Sequence, residues 1–164
     1  MKKLIGVFVL PVAVLFAVGC GSGSGGTTTT AGGEAAARET SVPPVKVAAK
    51  SLSGLGPVLV DSEGKTLYVF APDKGKEVTC VSECAAVWPP LKLEEGQKAA
   101  GSGQVKPSLL GSDPSPEGGE VVTYAGWPLY TYVADTEPGK ATGQAIDLNG
   151  GYWYVISAAG KVIK

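Results

Sequence analysis

The stretch Gly64-Lys-Thr-Leu-Tyr68-Val-Phe70-Ala-Pro-Asp73 returns later in the chain as Gly126-Trp-Pro-Leu-Tyr130-Thr-Tyr132-Val-Ala-Asp135. Glycine, leucine, tyrosine, a second aromatic and aspartate recur in register, 126 against 64 and so on down the motif. A tryptophan follows each copy, Trp88 after the first and Trp153 after the second. An internal repeat restricts the fold more than composition does. Two copies that each present a half-covered surface have a ready partner in one another.

Each copy reads as β-structure. Strand alternation sets Leu67, Val69 and Ala71 on one face and Tyr68 and Phe70 on the other; Leu129, Thr131 and Val133 oppose Tyr130 and Tyr132 in the same way. Both faces are largely apolar, which suits central strands. Hairpins are expected over 58–70, over 121–133 and over 145–156, the last with Asn149-Gly150 at its turn, the favoured pair for type I′ geometry. A short strand, 161–163, closes the chain. Only 83–87, stopped by Pro89-Pro90, suits a helical turn. The expectation is an all-β domain at 45–164: a small antiparallel sandwich or barrel built from two internal repeats, about 54–93 and about 118–157.

The segment before it is of another kind. Lys2 and Lys3 precede an uncharged apolar run, 4–17, shorter than the roughly 20 residues that span a bilayer. Its end, Ala17-Val18-Gly19-Cys20, resembles a bacterial lipoprotein signal. The resemblance implies a signal peptide 1–19, cleavage before Cys20 and acyl chains on that residue. A plain secretory signal with an incidental cysteine, or an uncleaved anchor, is the alternative. Residues 20–44 are rich in Gly, Ser, Thr and Ala, carry no hydrophobic period, and read as a flexible linker. The formal charge of −1 becomes about −3 once Lys2 and Lys3 leave, and no basic patch argues for nucleic acid.

The repeated Tyr-x-aromatic-x-x-Asp, Cys80-x-x-x-Cys84 with Trp88-Pro89-Pro90, and the run from Val121 through Tyr154 resemble a family of predicted bacterial lipoproteins called the secreted repeat of unknown function. The resemblance covers about 54–157. It implies a secreted or lipid-anchored protein on the outer side of the cell membrane and no particular reaction, so no catalytic role passes to any residue.

The chain contains no histidine, and Met1 is its only methionine. Ser-His-Asp and Cys-His nucleophiles, histidine-held metals and His or Met haem ligation are thereby excluded. Cys80 and Cys84 read as a structural disulfide in an exported protein, closing a small loop for about 2 kcal/mol on the chain-entropy model. A redox-active pair is the functional alternative, although a thioredoxin-type site has two intervening residues and this pair has three. Asp73 and Asp135 admit a carboxylate-pair reading, acid and base on a glycan. Aspartate after a strand more commonly accepts hydrogen bonds from the next turn, and its appearance in both copies fits a duplicated structural device. Most of the aromatic residues belong in the core. Trp127, in a turn before Pro128, is the one expected to face solvent, and Tyr152 with Tyr154 form a second set on one strand face.

These readings add up to a non-catalytic interaction module with no cofactor and no metal. It would be held on the membrane by its N-terminal lipid and bind an unknown envelope protein or glycan. A redox protein built on Cys80 and Cys84, and a glycan hydrolase using Asp73 and Asp135, are the competing classes.

Overall fold

The computed structural model describes residues 42–73 and 77–164; the signal, Cys20 and nearly all of the linker lie outside the described residues. β1 (Val45–Leu52) pairs antiparallel with β2 (Gly56–Val60). The Asp61 carboxylate then accepts from the N–H groups of Glu63 and Lys65, both at 2.9 Å, and turns the chain. Gly64 completes that turn at φ 80°, where a Cβ would be strained. The chain returns through Leu67, whose N–H meets the Leu59 carbonyl at 2.9 Å, into β3 (Tyr68–Phe70) and a 3₁₀ turn, Ala71–Asp73. The first expected hairpin therefore holds near its turn, but β3 then leaves β2 for a distant strand.

The expected helical turn is α1 (Glu83–Val87). After it come β4 (Lys92–Leu93), β5 (Ala99–Gly101), a second 3₁₀ turn, β6 (Leu110–Pro114), β7 (Glu120–Tyr124), β8 (Trp127–Pro128), β9 (Ile146–Leu148) and β10 (Gly151–Val155). Three sheets result, ordered β2-β1-β5, β3-β10-β9 and β4-β7-β6, with β8 also on β7. Every pairing is antiparallel except β1 with β5. Asn149 and Gly150 both have positive φ, 57° and 90°, as the β9–β10 turn requires.

Alternation along β3 and its counterpart divides the interior in two. Leu67, Val69 and Leu129 join Leu59, Val122 and Ile156 in one cluster, whereas Tyr68, Phe70 and Tyr130 join Trp88 and Trp153 in the other. The copies correspond contact by contact. Leu129 N–H meets the Val122 carbonyl at 2.9 Å, as Leu67 meets Leu59. Leu59 N–H reaches Ile156 at 3.0 Å, and Val122 N–H reaches Leu91 at 2.8 Å, which makes Trp88 and Trp153 equivalent, each three residues before its acceptor. Tyr68 and Tyr130 exchange backbone hydrogen bonds, at 2.8 and 3.0 Å, where the two copies meet. An approximate internal two-fold runs through that pair.

Candidate functional site

At the meeting point the repeat motif builds a column of four rings. Tyr132, Trp88, Trp153 and Phe70 lie face to face in that order, with centroids 4.0, 3.9 and 4.3 Å apart; the two indoles are 3° from parallel. Tyr68 meets Trp88 edge-on at 5.3 Å, and Tyr130 meets Trp153 edge-on at 5.2 Å. Trp88, Trp153 and the edge-on Tyr68 and Tyr130 have no exposed surface and Phe70 almost none, so the column is core up to its half-buried end at Tyr132.

The aspartates serve this core, and they do so crosswise. Tyr68 Oη donates to Asp135 Oδ2 at 2.5 Å, and Tyr130 Oη donates to Asp73 Oδ2 at 2.6 Å: each tyrosine clasps the aspartate of the other copy. The remaining oxygen holds its own loop. Asp73 Oδ1 accepts from Thr79 N–H at 2.9 Å and Thr79 Oγ1 at 2.5 Å. Asp135 Oδ1 accepts from Thr142 N–H at 2.9 Å and Thr142 Oγ1 at 2.6 Å. The expectation that aspartate anchors the following turn is met in both copies. The exchange of tyrosines, and the roles of Thr79 and Thr142, the sequence reading missed. The only signal was a threonine six or seven positions after each aspartate.

Burial lifts the phenols of Tyr68 and Tyr130 far above their usual range, and the carboxylate each one faces lifts them further, so both stay donors. Burial also raises the Asp73 carboxyl above the ordinary 3.8, against the pull of the Thr79 and Tyr130 donors. With the folded value the higher one, stability contributed by Asp73 is complete below the ordinary value and declines as pH rises through the folded value. Urea melts from about pH 3.5 to pH 7 should show wild type losing ground to Asp73→Asn as pH rises. A wild type that gains ground instead would mean that the donors outweigh burial.

Cys80 and Cys84 form the expected disulfide, S–S 1.99 Å. Cys80 is buried, and in the second copy Gly143 N–H donates to Tyr68 Oη at 3.2 Å. A Cβ on Gly143 would lie 2.6 Å from the Trp88 ring, so the second loop has room only for glycine there. Among the described residues, no three His, Cys, Asp or Glu side chains converge as a metal site needs.

Trp127 requires a correction. It is half-buried, packed on the Leu67 and Val69 side of the core, where Tyr154 and Val162 pack against the same cluster. The most open aromatic residue among the described residues is Tyr152, 48% exposed, on the face of β10 opposite Trp153 and stacked on Tyr154 at 6.0 Å. Trp127 and Tyr154 wall a slot of about 70 Å³ completed by Val69, Ala71, Val162 and Lys164. Nothing in the repeat requires these rings. Lys65, Val87 and Pro89 take the equivalent positions in the first copy, counted from Gly64 and Gly126 and from Trp88 and Trp153.

A family model described as a secreted repeat of unknown function matches residues 52–92 and 113–157, one segment for each copy of the motif. No curated protein and no solved structure matches the chain.

Proposed function

The chain belongs to the family described as a secreted repeat of unknown function, and from that premise we propose that it is a non-catalytic binding module of the cell envelope, tethered outside the cell membrane by lipid on Cys20. The observation that carries this reading is the saturation of both candidate carboxylates. Asp73 and Asp135 are buried, and each accepts three hydrogen bonds from its own loop and the opposite copy, which leaves neither of these two carboxylates presented to a substrate. The closed disulfide, with Cys80 buried, supports a bracing role over thiol exchange. The tether rests on the short apolar run, Gly19-Cys20 and the linker. Two acyl chains, at about 0.8 kcal/mol for each buried CH₂, are sufficient for stable anchorage.

Binding then falls to the surface where the copies differ, the aromatic face around Trp127, Tyr152 and Tyr154. The test immobilises the full chain, exposes it to solubilised envelope, and repeats this with Trp127→Lys, which installs the residue of the other copy. Components retained by wild type and by Lys65→Ala, but not by Trp127→Lys, are the expected result. The intact mass of the native protein should begin at Cys20 and include acyl mass. A catalytic turnover that survives Trp127→Lys and is lost in Asp73→Asn would reverse the assignment.

A further inference from the structure

We infer that the aromatic face of β10 is a carbohydrate-binding surface for neutral, pyranose-based glycan chains, an inference that rests on the binding-module reading above and gives it a ligand class. Tyr152 and Tyr154 point to the same side of β10, opposite the buried Trp153. Tyr154 stands across from Val69 of β3, and Tyr152 across from Asp147 of β9. Directly paired residues of neighbouring strands share a face, so the exposed Asp147 carboxylate flanks the Tyr152 ring. On the far side Lys164 Nζ lies 5.9 Å from the Tyr154 ring centroid, beside the slot against Trp127. Neither Asp147 nor Lys164 takes part in an ion pair among the described residues.

This set of groups matches the two sides of a sugar. One face of a pyranose presents C–H groups, which fit the negative face of an aromatic ring. Its rim presents hydroxyls, which donate to a carboxylate and accept from an ammonium or an indole N–H. The charges decide among ligands. Asp147 opposes a polyphosphate or polycarboxylate chain, and Lys164 opposes a basic peptide, whereas a neutral polyhydroxylated chain can use both. A polyproline ligand needs a valley between successive rings to take each proline. Tyr152 and Tyr154, 6.0 Å apart and 17° from parallel, leave no such valley between them, and the slot between Tyr154 and Trp127 is a single hollow of about 70 Å³. The first copy is the internal control. Its counterpart hollow is bordered by Asp61, Glu63, Lys65 and Thr131 and presents no aromatic wall. The shared scaffold thus folds without these rings.

The test titrates the full chain in detergent with cellotetraose, with chitotetraose and with a proline decamer, following saturation-transfer NMR and calorimetry. Saturable binding of at least one tetrasaccharide is expected, weakened about tenfold or more by Tyr152→Ala and by Trp127→Lys and unchanged by Lys65→Ala. Tyr152 is the most open of the three rings, and the near-UV circular dichroism of the buried indole pair reports that each variant is folded. Binding of the decamer and neither sugar overturns the proposal. So does the absence of sugar binding when envelope components are still retained through Trp127; the module reading then stands with a protein partner. No sugar binding and no Trp127-dependent retention removes both.

Discussion

Replacing Trp153 by alanine is expected to cost about 3–5 kcal/mol, enough to unfold a domain of ordinary stability. Trp153 stacks on Trp88 and Phe70 and receives the edge of Tyr130, and contacts of this kind add about 0.5–1.5 kcal/mol each beyond area burial. Trp88 occupies the equivalent place, stacked on Trp153 and Tyr132 with the edge of Tyr68 against it. The two indoles differ in one respect. Trp153 Nε1 donates to the Leu148 carbonyl at 3.0 Å, whereas the buried Trp88 Nε1 has no partner among the described residues. A buried donor without a partner costs about 1–3 kcal/mol, and phenylalanine removes it while keeping a ring. Trp88→Phe should therefore be milder than Trp153→Phe by about 1–2 kcal/mol in denaturant melts. Equal losses would mean that the Leu148 hydrogen bond contributes nothing, and a milder Trp153→Phe would invert the account. Either alanine variant should also remove the near-ultraviolet circular dichroism contributed by the indole pair stacked at 3.9 Å.

The column shows what a sequence can and cannot state about such a fold. The motif residues and their strand faces were legible, since alternation is a local property: Tyr68, Phe70 and Tyr130 do face one interior and Leu67, Val69 and Leu129 the other. Asn149-Gly150 and Gly64 were legible because positive φ selects residue type. The strands β1, β4, β5 and β6 were not. Their sequences, such as Ala99-Ala100-Gly101, have little periodicity and become strands only when a partner is brought to them, here β1 in parallel register. The exposure of Trp127 was misjudged for a related reason: whether a turn residue is covered depends on the core cluster it packs against, to which Tyr154 and Val162 come from a distant part of the chain. A duplicated motif also carries an ambiguity that spacing cannot lift. Tyr68 precedes Asp73 by five residues and Asp135 by 67, and symmetry permits a bond to either.

The structure chooses the distant partner, and that choice predicts how stability losses combine. Asp135→Asn places an amide donor where Tyr68 Oη donates at 2.5 Å, and it removes the charge that strengthens all three hydrogen bonds to the side chain. Asparagine can keep its carbonyl oxygen toward Thr142, so the Tyr68 hydroxyl hydrogen is left buried without an acceptor. The expected loss is about 1–3 kcal/mol. Asp73→Asn meets Tyr130 and Thr79 in the same arrangement and should lose a similar amount. Tyr68→Phe removes the donor from the other side of the Asp135 pair. A double-mutant cycle of Tyr68→Phe with Asp135→Asn should therefore be non-additive by about 1 kcal/mol or more, since the second change has no hydrogen bond left to break. The same tyrosine change combined with Asp73→Asn should be nearly additive, although Asp73 is the neighbour in sequence. Tyr130→Phe should show the reverse preference, coupling to Asp73 and not to Asp135. Coupling within each copy would mean that the repeats close on themselves and that the crosswise clasp is wrong. Crosswise coupling would make the two copies one cooperative unit, in which neither can present its aspartate to a substrate without releasing the other copy's tyrosine.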